Sequence, residues 1–472
     1  MELDPLLLSR LQFAFVVSFH AIFPVFTIGL ASYIALLNGL FYKTENPAWD
    51  RLAQFWTKVF AVVFGMGVVS GIVMSFQFGT NWSNFSQASA NFLGPVLSYE
   101  VVTAFFLEAA FLGVLLFGRG KVPQGVHLFA AIMVAIGTFI SSFWILSANS
   151  WMQTPAGVEL VDGTFNVTSW TAAIFNPSFW YRFIHMGMAS FLTGGFVVAG
   201  VSAWYLLRGR DVEANRKALS MCLWLLLFLA PAQAVVGDFH GLNTLEHQPT
   251  KVAAMEGNWE TRGNVPLLLF AIPDQEAQTN RFEIGIPSLA SVILKHDPAG
   301  VVPGISETAR DEQPPVWIVF WSFRIMVALG FLMIGVAIAG AVLRRGGRVY
   351  EHRGFLQLLR WMSVTPFIAV LAGWIVTEVG RAPWVVYGMM THAEGLTPSL
   401  TGGMALFTLI GYVAVYAVVF WAGIYYLTKV VRQGMLPESE RDTTDGEVHR
   451  PKRPLSAVHA TFDNDAAPTW RN

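Results

Sequence analysis

Nine stretches of mostly apolar residues constrain this chain more than any other feature. They lie at 13–41, 57–79, 94–118, 126–148, 183–207, 219–238, 316–343, 356–379 and 402–430. About 20 such residues in α-helical form cross the hydrocarbon core of a bilayer. The expected fold class is therefore an all-α integral membrane protein with nine transmembrane helices. Composition agrees. Of 472 residues, 54% are apolar and only 13% charged, with 17 Trp and 38 Phe. A soluble domain is about 25% charged, so an ordinary cytosolic enzyme is excluded, and so is a disordered chain. Lys and Arg total 30 against 31 Asp and Glu, which leaves no basic field for a nucleic-acid partner.

Orientation follows from where the cations sit. The loops after helices 1, 3, 5 and 7 carry Lys43 and Arg51, then Arg119 and Lys121, then Arg208, Arg210, Arg216 and Lys217, then Arg344, Arg345, Arg348, Arg353 and Arg360. The segments 80–95 and 150–181 carry none. The N-terminus is thus expected outside and the C-terminus inside. Trp82, Trp151, Trp170, Trp180 and Trp384 fall at the outer ends, where amphipathic rings favour the interface. The acidic N-terminus lacks the cationic region of a cleaved signal, so the first apolar segment is expected to remain. The chain divides into helices 1–6 (1–238), a long outer loop (239–315), helices 7–9 (316–433) and a polar tail (434–472) expected to be disordered and cytoplasmic. Loops as long as 239–315 are usually functional.

Ionisable groups in hydrocarbon are costly and usually functional. Here they are His20, Glu100, Glu108, Arg182, His185, Asp238, Arg324, Glu378 and, just past a helix end, Arg381. Most lie within roughly 10–15 Å of the outer end at 1.5 Å per residue, as a single functional layer would require. Glu100 and Glu108, about two turns apart, suit a carboxylate relay or a pair of buried protonated acids. A lone membrane histidine is more often a packing residue. Two histidines with Met326 at one depth favour haem iron, for which imidazole and thioether are common axial ligands. No HxxxH pair supports zinc. The single cysteine, Cys222, excludes an iron–sulfur cluster and a CxxCH attachment site. Arg324 and Arg381 are suited to bidentate carboxylate contacts such as haem propionates. By chemistry alone Lys251 and Glu256, in Pro-Thr-Lys-Val-Ala-Ala-Met-Glu, read as solvated loop charges on a short helical stretch.

Several motifs taken together resemble subunit I of the cytochrome bd-type quinol oxidases. They are Ser9-Arg10-Leu11-Gln12-Phe13 with His20, Phe76-Gln77-Phe78-Gly79-Thr80-Asn81-Trp82, Glu100 with Phe105-Phe106-Leu107-Glu108, Trp144-Ile145-Leu146 with Asn149, and Trp151-Met152-Gln153. Gly237-Asp238, Lys251 with Glu256 and Trp259-Glu260-Thr261, Phe323-Arg324-Ile325-Met326 and Gly380-Arg381 with Pro383-Trp384 continue the series, in order over residues 7–430.

The resemblance implies a haem-containing quinol:oxygen oxidoreductase of a bacterial respiratory chain, in the inner membrane. His185 and Met326 match the axial ligands of a low-spin haem b, with Arg324 beside it. His20 and Glu378 match the ligands of the other two haems, with Trp374 and Arg381 at that site. Glu100, Glu108 and Ser141 match the proton path to the oxygen site, and Lys251 and Glu256 match the quinol-binding residues of the outer "Q-loop". Three haems are implied, two b-type and one d-type. Implied partners are subunit II, a small single-helix subunit, ubiquinol or menaquinol, O2 and the lipid bilayer. Quinol oxidation outside and proton uptake inside would build a proton motive force without pumping. The short segment 283–315, and Ser75 where a Glu is common, resemble the cyanide-insensitive branch. In that branch a typical haem d spectrum can be lacking, which leaves the third haem d or b.

Overall fold

The structure, a computed structural model, describes residues 3–435. The expected tail therefore lies, apart from its first two positions, outside the described residues. Among the described residues nine helices are long and apolar enough to cross a membrane. They are α1 (Pro5–Thr44), α2 (Pro47–Thr80), α3 (Ala90–Phe117), α4 (Gln124–Gln153), α5 (Phe179–Leu206), α6 (Val212–His247), α7 (Val316–Arg344), α8 (Arg353–Val379) and α9 (Gly402–Gln433). Local signals set the starts of the first two. Asp4 accepts the Leu6 N–H at 2.9 Å ahead of Pro5, and Asn46 accepts the Ala48 N–H at 2.9 Å ahead of Pro47. Both are N-caps followed by proline at a position that needs no N–H donor.

Helix α1 packs against α2, α4, α5 and α9, and α5–α6, α6–α7 and α7–α8 are neighbouring pairs. Large apolar side chains also point outward, among them Phe407 and Trp421 of α9, 79% and 72% exposed. Lipid is the solvent that such a surface fits.

The ends of the bundle differ. At one end the cation-rich loops are tied to each other. Arg51 pairs with Asp211, and Arg119 pairs with Asp50 and donates to Asn38 Oδ1 at 3.1 Å. Arg210 donates to the carbonyls of Arg432 and Gln433 at 3.0 and 2.9 Å, and Arg344 donates to that of Ser220 at 2.7 Å. The Arg210 contacts satisfy carbonyls that the end of α9 leaves open, where the helix dipole also favours a cation.

The other end carries three antiparallel hairpins. They are β1 (Val158–Val161) with β2 (Thr164–Val167), β3 (Leu267–Asp274) with β4 (Thr279–Ile286), and β5 (Trp384–Val386) with β6 (Met390–Thr391).

Three expectations change in detail. Helix α6 does not stop at Asp238 but runs on to His247. The segment that follows is no open loop. A helix at Pro249–Glu256 and the β3–β4 hairpin enclose a core of Val252, Met255, Trp259, Val265, Val302 and Ile305, packed on Val316 and Val319 of α7 and Val376 of α8. Trp82 and Trp151, read as interfacial, are buried with Phe85, Phe92 and Phe165. Trp170 and Trp180 are exposed, as expected.

Candidate functional site

A cavity of about 840 Å³ lies among α5, α6, α7, α8 and the Pro249–Glu256 helix. His185, Met326, Arg324, Trp374, Lys251 and Glu256 all face it. Helix geometry explains their convergence. His185 lies near the start of α5, and the Gln233 amide of α6 donates to its backbone carbonyl at 3.1 Å and reaches both ring nitrogens at 3.3 Å. Two glycines leave space beside the His185 ring and the Met326 sulfur. A Cβ on Gly237 would come within 3.3 Å of His185 Cε1, and one on Gly373 within 3.0 Å of Met326 Sδ.

Lys251 and Glu256 are not solvated loop charges: they are 3% and 5% exposed. Pro249 starts their helix and Gly257, in the left-handed region, ends it, as helix start and stop signals require. Glu256 Oε2 accepts from Arg324 Nη2 at 2.7 Å, and Arg324 Nε donates to the Leu268 carbonyl. The Arg324 guanidinium lies 4.8 Å from the ring centroid of Phe320. Such a desolvated, hydrogen-bonded pair is expensive to break on one side only. Lys251 Nζ donates to Gln153 Oε1 at 2.6 Å, Gln248 Oε1 at 2.7 Å and the Thr377 carbonyl at 3.1 Å. Burial pushes the Lys251 ammonium well below its ordinary range. Arg182 and Arg381 add repulsion, and Glu378 opposes them.

Glu378 closes the end of α8. Asn149 Nδ2 donates to its Oε1 at 2.9 Å and Arg381 Nη2 to its Oε2 at 2.5 Å. Burial lowers the pKa of Arg381 from its ordinary value, and Glu378 counteracts this.

His20 stands apart, between α1 and α2. Its Nδ1 lies 2.9 Å from Ser70 Oγ, and Ser70 Oγ donates to the Gly67 carbonyl at 2.9 Å. With the single hydroxyl proton so placed, Ser70 accepts from His20 Nδ1–H, which leaves Nε2 with the free lone pair. A Cβ on the adjacent Gly71 would come within 3.1 Å of His20 Cε1.

Glu100 and Glu108 lie on α3, and Ser141 Oγ of α4 donates to Glu100 Oε1 at 2.8 Å. Eight residues of a regular α-helix overshoot two turns by about 80°, which would splay the two carboxyls. Between them, however, Val101–Phe105 forms a π-turn. A π-turn accommodates one extra residue, about 100° of rotation, and so nearly cancels the overshoot. Glu108 then lies against Gly137 and Glu100 against Ser141, one turn apart on the same face of α4.

The sequence argument thus places ten of its residues, Arg182 and Asp238 included, around or beside one cavity, His20 in a separate cleft and the remaining three along the α3–α4 seam. It missed His240, whose ring centroid is 5.5 Å from that of His185. It also missed the amides of Gln153 and Gln248. His240 follows Asp238, where α6 was expected to end, so its helical register was invisible.

The donor set fits iron porphyrin. His185 and Met326 supply imidazole and thioether to one apolar-walled cavity of cofactor size. Among the described residues Trp374 Nε1, Arg182 Nε and Arg381 Nε and Nη1 are buried donors without acceptors. Buried donors ordinarily have partners, and the carboxylates of a porphyrin are acceptors of the right kind.

The family model described as cytochrome bd terminal oxidase subunit I matches residues 8–435. The chain is 34% identical over 450 residues to the Bacillus subtilis (strain 168) cytochrome bd ubiquinol oxidase subunit 1, covering 93% of this chain and 96% of that protein. It is 31% identical over 501 residues to the Escherichia coli (strain K12) cytochrome bd-II ubiquinol oxidase subunit 1, covering 91% and 97%. The solved structure of bd oxidase from Geobacillus thermodenitrificans superposes with a TM-score of 0.84 at 32% identity, covering 92% of this chain and 99% of that one. The chain belongs to the cytochrome bd terminal oxidase subunit I family.

Proposed function

We propose that this chain oxidises quinol at its hairpin-bearing end and houses the site at which O2 is reduced to water. That end would face outward and the cation-tied end the cytoplasm, in a bacterial inner membrane. The observation that carries the reading is the meeting of His185, Met326, Arg324 and Glu256 at one cavity. Haem bound there would supply the electron transfer that links quinol oxidation to the reduction of O2. Everything else falls to the chain's own groups. His185 and Met326 would hold a low-spin haem b, and His20 and Glu378 the two remaining haems, b and d, or both b as in members of the cyanide-insensitive branch. Trp374 and Arg381 would flank the Glu378 haem.

Glu256, buried and anchored by Arg324, would take a proton from the quinol, with Lys251 serving the same site. Glu108, Ser141 and Glu100 would move protons from the cytoplasmic side. Their alignment on one face of α4 supports that role. Releasing protons on one side and consuming them on the other separates charge without a pump. Subunit II completes the family's complex, and a small single-helix subunit would join it. Either ubiquinol or menaquinol suits the reading: two relatives are named ubiquinol oxidases and a third a menaquinol oxidase.

The test is a reduced-minus-oxidised visible spectrum of the purified complex, repeated under carbon monoxide. Low-spin b bands with a carbon-monoxide-sensitive high-spin band are expected, and a red-shifted chlorin band would identify haem d. Low-spin bands alone, unmoved by carbon monoxide, would reduce the chain to an electron relay.

A further inference from the structure

The turn between α7 and α8 gathers cations that no acid balances. Residues 344–353 read Arg-Arg-Gly-Gly-Arg-Val-Tyr-Glu-His-Arg, four arginines with one carboxylate. That carboxylate, Glu351, accepts from Arg216 of α6 at 3.2 Å. Among the described residues, Arg344, Arg345, Arg348 and Arg353 therefore form no ion pair. Gly346 and Gly347 both sit in the left-handed region, and a Cβ on either would meet nothing within 4 Å. The turn is thus open between Arg345 and Arg348, which are both exposed.

An apolar track leads from this turn along the outside of α6 and α7. Arg344 Nη2 donates to the Ser220 carbonyl at 2.7 Å, and the guanidinium lies 4.7 Å from the ring centroid of Trp224. The carbonyl contact uses one of the five N–H donors of a guanidinium. Trp224 in turn stacks on Phe228, one turn further along α6, with ring centroids 6.1 Å apart and planes at 11°. Trp224 is 50% exposed and Phe228 68%, and Val342 and Ile338 of α7 are exposed as well. The two helices approach closely here, since a Cβ on Gly340 would come within 2.9 Å of Leu223 Cδ2. Arg216 ties the turn to α6 a second time, its guanidinium 5.5 Å from the ring centroid of Tyr350.

We propose that the α7–α8 turn binds the phosphodiester of an anionic phospholipid, with an acyl chain lying along Trp224 and Phe228. The unpaired arginines supply the complementary charge, and a guanidinium forms bidentate contacts with phosphate oxygens. Basic pockets between membrane helices hold anionic headgroups in this way. A free phosphate would use the arginines alone. A lipid also uses the aromatic pair on the membrane side of Arg344, where its chain must run to reach the hydrocarbon core. None of these residues lines the cavity at His185, so the proposal stands apart from the oxidase reading.

The test uses the intact oxidase complex, stripped of lipid in detergent and titrated with phosphatidylglycerol or with phosphatidylcholine of the same acyl chains. Native mass spectrometry counts the bound lipids, and the visible spectrum of each variant checks assembly. The wild-type complex should take up one phosphatidylglycerol at a concentration at least tenfold below that needed for phosphatidylcholine. Arg345→Gln combined with Arg348→Gln should remove this preference and leave phosphatidylcholine binding unchanged. Trp224→Ala keeps every charge and should weaken phosphatidylglycerol binding severalfold, and it decides the question if the arginine variant fails to assemble. The full preference retained in either assembled variant would overturn the proposal. So would displacement of the lipid by an equal concentration of glycerol phosphate, which would make the turn a site for free phosphate.

Discussion

Gly373→Ala tests the placement of Met326 as an iron ligand by adding a single methyl group. An ideal Cβ at position 373 lies 3.0 Å from Met326 Sδ. Contacts that short are rare for a Cβ, so the sulfur must retreat by a few tenths of an ångström. Metal–ligand distances tolerate about 0.2 Å, so the shift exceeds what coordination allows. Overpacking of this kind costs about 1–3 kcal/mol, which at 1.4 kcal/mol per tenfold lowers the equilibrium constant for ligation about 5- to 150-fold. The helix itself gains, because Ala is favoured over Gly by up to about 1 kcal/mol. Folding should therefore be preserved while coordination is lost. The assay is the low-spin band of the reduced-minus-oxidised spectrum per mole of assembled complex. Gly335→Ala on α7 is the control, since its added Cβ would meet nothing within 4 Å and the residue does not line the cavity. A Gly373→Ala complex with a full low-spin band at the wild-type position would refute the coordination of Met326 from this side.

Three further outcomes are expected. Glu256→Gln should lower quinol oxidation at least tenfold with all haem bands intact, because it removes the carboxylate anchored by Arg324; loss of haem would make the loop helix structural instead. His20→Ala should abolish oxygen consumption, whereas Ser70→Ala should keep the haem but shift its carbon monoxide spectrum, since the tautomer of His20 is no longer fixed; full oxygen uptake in the His20 variant would remove that residue from the oxygen site. Ser141→Ala should slow turnover severalfold with an enlarged solvent deuterium isotope effect and unchanged spectra, and an unaltered isotope effect would detach Ser141 from proton transfer.

The nine spans and the residues inside them were legible because length and apolarity are read directly from composition along the chain. The short helix holding Lys251 and Glu256 was legible as a helix but not as a buried one. Its burial depends on Val265, Val302 and Val316, far away in the chain, closing over it. The alternation of cation-rich loops was visible, while the pairing of Arg51 with Asp211 required the fold. Glu100 and Glu108 were linked by a spacing that fits two turns only loosely. The π-turn that makes the link good is a backbone deviation that Val-Val-Thr-Ala-Phe does not announce. Ser70 gave no signal at all, because a small hydroxyl in an apolar helix ordinarily satisfies itself on the preceding turn.

That π-turn has a consequence for how the family's chain length can vary. Insertions and deletions are ordinarily tolerated in surface connections, and the segments between these helices fit that pattern. Helix α3 sets a condition of its own, since at a spacing of eight residues its two carboxyls share a face only while one surplus residue stays looped into 101–105. Deleting Val102 would let the helix relax into regular winding, keep its apolar character and still span the bilayer. Seven regularly wound residues turn through about 700°, so Glu108 would keep its bearing on Glu100 and still face Gly137. Inserting one residue there would instead turn Glu108 by about 100° away from Gly137, and the seam would lose its function without losing any of its functional residues.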